Sequence, residues 1–276
     1  MLKGGSFVGL AKQAMIVVID GCRPDGLAEA DTPHIDALWQ NGAYTWQAQT
    51  VSPCVSLPPH CSLFWGVEPE AHGITSNSWP DNYAYKVPTI FDLCKQKGLR
   101  TAMVFGWQPF EPIPRPGTVD ISDFDPHYLS DDVAAGTSVA RIVRQESPDF
   151  FFVHLNQVDS DGHAHDWMSD EYVAAIETAD IAIGMVIEAL REVGAFGETI
   201  ITVLADHGGH EQSHGEDIPE DMTIPWIVYG PGIQAGREVN CDVTIHDTSP
   251  TVAHAMGLPI PPGWTGSIIK EAFMQR

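Results

Sequence analysis

Three short apolar runs set the frame. AMIVVID (14–20), DFFFVHLNQVD (149–159) and ETIITVLAD (198–206) each close on an aspartate. Such runs, rich in β-branched or aromatic residues, read as strands buried on both faces, the kind that forms parallel sheets. LRTAMVFG (99–106) and IPWIVYGPG (224–232) read the same way. Between them lie segments with helical spacing: TPHIDALWQNG (32–42), TIFDLCKQKG (89–98), DDVAAGTSVARIVRQ (131–145), 169–194 and DTSPTVAHAMG (247–257). Ser169 stands as N-cap and Gly194 as the stop of the longest helix. Strands alternating with helices predict a three-layer α/β/α fold around a mainly parallel sheet. Residues 108–130, rich in Pro, Asp and Gly, read as a loop. Without repeats or long linkers, residues 1–276 read as a single domain, with room for a small cap or loop insertion within 78–130.

The chain carries 37 Asp+Glu against 14 Lys+Arg, a formal charge of −23. That balance excludes a nucleic-acid polymer as partner, because such binding needs a basic footprint. No apolar run approaches the ~18 residues of a membrane span, so no membrane partner is expected. Five cysteines without paired spacing argue against a disulfide framework. The leader MLKGGSFVGLAKQ (1–13) lacks a long apolar core and a cleavage site, so the expected location is the cytoplasm. Oligomeric state is open.

A lone Asp after a strand ordinarily caps the next turn. Here each brings further chemistry. Asp159 opens DSDGH and places His163 four residues on. Asp206 opens DHGGHEQSHG and adds His207, His210 and His214. Turn formation asks for no such series, whereas carboxylate plus neutral imidazole is a ligand set for zinc and similar divalent ions. Ser56 precedes Leu-Pro-Pro at the start of a helix running to Gly66. It reads either as a simple N-cap or as a hydroxyl placed where helix N–H groups and a metal stabilise its alkoxide.

These segments together resemble the alkaline phosphatase superfamily, and within it the nucleotide pyrophosphatase/phosphodiesterase (type I phosphodiesterase) branch. The matching pieces are VVIDGCRPDGL (17–27), TPHIDALWQNGA (32–43), SLPPHCSLFWGVEPEAHGITSN (56–77), VDSDGHAHD (158–166), ADHGGH (205–210), HGED (214–217), IPWIVYGPGI (224–233) and residues 246–266, in family order. The resemblance implies an alkaline-phosphatase-like fold and a metal-dependent hydrolase. One metal would be held by Asp20, Asp206, His207 and the Ser56 hydroxyl, the other by Asp159, His163 and His214. Ser56 would be the nucleophile of a phosphoseryl intermediate, and Asn77 a phosphate contact. The ions would be zinc, with manganese or iron as alternatives. The substrate would be a small phosphorylated molecule, such as a nucleotide diester or pyrophosphate. The chain departs from the family where Thr often stands for Ser56 and where the Asn of its PNH is Pro59.

Phosphonate hydrolysis, phosphomonoester hydrolysis and a non-catalytic metal- or phosphate-binding role stay as alternatives. His210 is left over, as an orienting partner or a bystander. His60 and His72 read as structural or orienting, and His34, His127, His154 and His254 as packing or surface. His246 goes either way. Asp161, His165 and Asp166 read as solvated loop residues. Trp79, with Trp107 and Trp167, is a candidate for stacking on a substrate, though loop aromatics more often anchor packing.

Overall fold

The computed structural model describes residues 9–275. In chain order it contains β1 (Gln13–Ile19), α1 (Pro24–Glu29), α2 (Pro33–Gln40), β2 (Ala43–Gln49), α3 (Leu57–Trp65), α4 (Pro69–His72), α5 (Ile90–Gln96), β3 (Thr101–Phe105) and β4 (Ile121–Phe124). There follow α6 (Asp132–Glu146), β5 (Phe150–Leu155), α7 (Gln157–His165), α8 (Asp170–Glu192), β6 (Thr199–Leu204), α9 (Pro219–Met222), β7 (Thr223–Tyr229), β8 (Arg237–Glu238) and α10 (Thr248–Ala255). Residues 1–8 of the leader lie outside the described residues.

The strands form one sheet in the order β4-β3-β5-β1-β6-β7-β2-β8. Strand β7 runs antiparallel to β6 and to β2, and every other pairing is parallel. Strands β1, β5 and β6 sit at the centre with almost no exposed residue, as their unbroken apolar runs require. Helices α1, α2, α6, α7 and α8 pack on one face and α3, α4, α5 and α10 on the other. The expected three-layer α/β/α architecture is present. Among the described residues no helix is long and apolar enough to cross a membrane.

Several boundaries differ from the sequence reading, each for a physical reason. The run 149–159 is not all strand: β5 stops at Leu155, and Asp159 lies in the first turn of α7. The Asp132 carboxylate accepts the N–H groups of Asn156 (2.9 Å) and Gln157 (3.2 Å), capping α7 from a neighbouring helix. Asp180 on α8 caps α2 in the same way, through the N–H groups of His34 and Ile35. Residues 108–130 are not only loop, because they supply the edge strand β4. Strand β2 lacks an apolar run: its burial alternates, so half its side chains face outward.

Candidate active site

The site gathers at the carboxyl ends of β1, β5 and β6, where open α/β sheets bind their ligands. Asp20 follows β1 directly, Asp206 follows β6 by two residues, and α7 carries Asp159 and His163 on successive turns. Gly21 turns the chain after Asp20 at φ +69°. The loop after β6 brings His207 and His214 together, their rings stacked 3.7 Å apart. Glycine permits the close packing here: a Cβ on Gly209 would stand 2.2 Å from the Trp167 indole. Trp167 donates Nε1–H to the Gly21 carbonyl and backs the His163 and His214 rings.

All three imidazoles are presented alike. His207, His163 and His214 direct Nδ1 at the carbonyls of Gly208 (2.7 Å), Gln212 (2.9 Å) and Cys54 (3.2 Å). That bond turns each Nε2 towards the site, the orientation metal ligation requires. His207 Nε2 lies 3.3 Å from Asp20 Oδ1, 3.4 Å from Asp206 Oδ2 and 3.5 Å from Ser56 Oγ. His163 and His214 Nε2 lie 3.4 and 3.7 Å from Asp159 Oδ1. Ligand atoms of Asp20, Asp159 and His207 fall within 4.8 Å of one another, and so do those of Asp159, His163 and His214. Asp159 thus stands between the two sets.

These residues fit a pair of cations. Asp20 Oδ1, Asp159 Oδ1 and Asp206 Oδ2 are buried without a hydrogen-bond donor. Burial, then the neighbouring Asp20 charge, pushes Asp159 up to about 7 and Asp206 well above the carboxylate range. Burial would lower His207, but Asp206 and Asp20 outweigh it and hold it at about 10. The cluster therefore draws in positive charge, and oxygens left unpaired in this way are the ligands a divalent ion takes.

Ser56 is buried and sits at the head of α3 with no side-chain capping bond. Its Oγ is not spent on the helix, which removes the simple N-cap reading. The expected help from helix N–H groups is also removed. Pro58 and Pro59 carry none, the His60 N–H returns to the Ser56 carbonyl, and the Leu57 N–H goes to Asn77 Oδ1 at 2.9 Å. That last bond ties Asn77 to the Ser56 backbone. Ser56, Asn77, Trp107, Asp159, His163 and His214 line one cleft of about 300 Å³. Trp79 does not line it: its Nε1–H binds the Pro109 carbonyl and its ring packs on Trp65 and Tyr83. Of the three candidate tryptophans, Trp107 lines it.

Residues outside the expected ligand set hold this arrangement. His154, expected as packing, is buried on β5 with Nε2 2.8 Å from Asp20 Oδ2. Its signal is the polar residue inside an apolar strand. His60 donates Nδ1–H to the Ser56 carbonyl at 2.8 Å, and burial lowers its pKa to about 3, so it stays neutral. His210 meets buried Asp221 at 2.8 Å through Nδ1. The other Asp221 oxygen accepts the N–H groups of Gly215 and Glu216, both at 2.8 Å. Asp221 so clasps the loop on both sides of His214. His72 binds Ser62 and the Ile74 N–H and is structural.

Residues 14–220 match the family described as type I phosphodiesterase / nucleotide pyrophosphatase. Ectonucleotide pyrophosphatase/phosphodiesterase family member 1 of Homo sapiens is 26% identical over 230 residues, covering 72% of this chain and 24% of that protein. The chain thus spans about a quarter of the length of that relative. A 2,3-bisphosphoglycerate-independent phosphoglycerate mutase of Ectopseudomonas mendocina is 32% identical over 176 residues, covering 59% of this chain and 32% of that enzyme. Among solved structures, murine ectonucleotide pyrophosphatase / phosphodiesterase 5, an inactive form in complex with AMP, superposes with a TM-score of 0.83 at 14% identity. That match covers 95% of this chain and 100% of the other, and it shows the shared fold.

Proposed function

Because the chain belongs to the type I phosphodiesterase / nucleotide pyrophosphatase family, we propose that it is a two-metal phosphohydrolase that cleaves small phosphodiesters or pyrophosphates through a phosphoseryl intermediate. The observation that carries this reading is the convergence of a non-capping Ser56 hydroxyl, three carboxylates and three inward-facing Nε2 atoms at the carboxyl ends of the central strands. Asp20, Asp206, His207 and Ser56 would hold one ion, and Asp159, His163 and His214 the other. The mixed carboxylate and imidazole donors suit zinc, with manganese or iron as alternatives. Bound there, the ions supply charge stabilisation for the attacking and leaving oxygens.

The chain's own groups do the rest. Ser56 Oγ gives up its proton to solvent and bonds to phosphorus, and the bond from phosphorus to the leaving oxygen breaks. Asn77, oriented by the Leu57 N–H, donates from its carboxamide to a non-bridging phosphate oxygen. Water then attacks phosphorus, the bond to Oγ breaks, and Ser56 recovers a proton. His154 and His60 hold Asp20 and the Ser56 backbone in register through both steps. The names of the relatives support nucleotide-type substrates. Five free thiols support a reducing, cytoplasmic location.

The test is hydrolysis of bis(p-nitrophenyl) phosphate by protein supplied with zinc or manganese, beside Ser56→Ala. Turnover should fall at least about 1,000-fold in the variant while both ions still bind. Undiminished turnover by Ser56→Ala removes the nucleophile assignment. Preference for a phosphonate or monoester would reassign the substrate class, and metal binding without any hydrolysis would make the protein a binding module.

A further inference from the structure

A second cavity, of about 570 Å³, shares no lining residue with the cleft. Its size falls in the range of small-molecule sites. Helix α1 contributes Leu27 and Ala28, α2 contributes Asp36 and Trp39, and β2 contributes Trp46 and Gln47. Successive residues of a strand ordinarily face opposite sides of a sheet. Trp46 and Gln47 nevertheless both reach this cavity. One extra residue of β2 lies between the pairs Thr45–Trp226 and Ala48–Ile224, and a bulge of this kind re-aims side chains.

The two indoles are half-buried and meet as a corner, with centroids 6.0 Å apart and planes at 78°. Trp39 is held in place twice. Its Nε1–H donates to Asp36 Oδ1 at 3.0 Å, and its ring meets the Tyr44 ring edge-on at 5.0 Å. The ionisable groups that line the cavity are both carboxylates, Asp25 and Asp36. Residues 24–47 hold four acids and no Lys or Arg. Asp25 is paired with Arg23. Asp36 accepts from the neutral Trp39 indole and, at 3.3 Å, from the Thr32 hydroxyl, and among the described residues no ion pair engages it.

Indole faces attract positive charge and ask for no hydrogen bond in return. An anion would meet the two carboxylates instead, and a neutral body would gain only from the apolar wall. We propose that this cavity binds an organic cation, a substituted ammonium with an apolar body. Its charge lies against Trp39, Trp46 and Asp36, and its body lies on Leu27 and Ala28. The site is separate from the metal cluster, so its occupancy does not depend on the reaction proposed above.

The test is calorimetric titration of the zinc-loaded full-length protein with 3-hydroxyphenyltrimethylammonium and with 3-tert-butylphenol, which has the same shape and no charge. The ammonium should bind at least about tenfold more tightly than the phenol. Asp36→Asn keeps an acceptor for the Trp39 and Thr32 donors. It should weaken the ammonium about fivefold or more and leave the phenol within about twofold. Ala28 is exposed on the cavity wall, and Ala28→Arg puts a guanidinium where the ammonium would sit. That variant should lose at least about tenfold in affinity for the ammonium. Equal affinities for the two probes, no binding of the ammonium, or undiminished binding in either variant overturns the proposal.

Discussion

His154 Nε2 lies 2.8 Å from Asp20 Oδ2 across the β1–β5 pair, both side chains sealed from solvent. The bond occupies one carboxylate oxygen and leaves Oδ1 facing His207. His154→Leu should therefore weaken one of the two bound ions about 10- to 100-fold, the range found when an outer partner of a metal ligand is removed. His154→Gln, which keeps an N–H donor near the Nε2 position, should recover most of the affinity. Chelator competition reads both constants. Equal affinities in wild type and the leucine variant would contradict a positioning role.

Asp221 offers a parallel case on the other ion. Its carboxylate holds His210 and the Gly215 and Glu216 N–H groups, so it sets where His214 points. Asp221→Ala should lower affinity for the ion bound by His214 by about 10-fold or more, with the other ion nearly unaffected. Circular dichroism on the same samples separates this from unfolding. A variant that loses both ions together, or neither, refutes the clasp.

Asp132 makes stability depend on pH. Burial pushes its carboxyl up to about 7, from 3.8 in the unfolded chain. The folded state thus keeps a proton that the unfolded chain gives up between those values, so the contribution is present at low pH and is lost as pH rises towards 7. Asp132→Asn keeps an acceptor for the Asn156 and Gln157 N–H groups but cannot ionise. Its stability relative to wild type should rise by roughly 1–3 kcal/mol from pH 4 to pH 8, read by urea unfolding. A pH-independent difference would contradict the buried-acid account.

Cations should stabilise the fold outright, because the unpaired oxygens of Asp20, Asp159 and Asp206 are formed only in the native state. Zinc at about 100 times its dissociation constant should add about 2.7 kcal/mol per site, and chelator should reverse it. The triple replacement of His163, His207 and His214 by Ala should show no zinc-dependent gain. Full zinc stabilisation of that triple variant would mean that the ion binds elsewhere.

The central strands and the cluster of carboxylates and imidazoles were legible for one reason: each is a local pattern. Unbroken apolar runs mark β1, β5 and β6, and a carboxylate followed by imidazoles at fixed spacing marks Asp159, His163, Asp206, His207 and His214. What was not legible depends on distant partners. Asp132 starts α7 from another helix, so the end of β5 is invisible in its own run. His154 and Asp221 acquire their roles only when β5 meets β1 and α9 meets the ligand loop. Trp79 and Trp107 look alike as loop aromatics, and the Pro109 carbonyl that takes the Trp79 Nε1–H is a distant partner in the sequence. The prolines after Ser56 were visible, yet their effect on the helix N–H groups needed Asn77 in place.

The most direct measurement is an anomalous difference map at the zinc edge from crystals grown with zinc. The account predicts two peaks about 4 Å apart, one bounded by Asp20, Asp206, His207 and the Ser56 oxygen and the other by Asp159, His163 and His214. A single peak, or two peaks with the Ser56 oxygen outside the coordination of both, would contradict it.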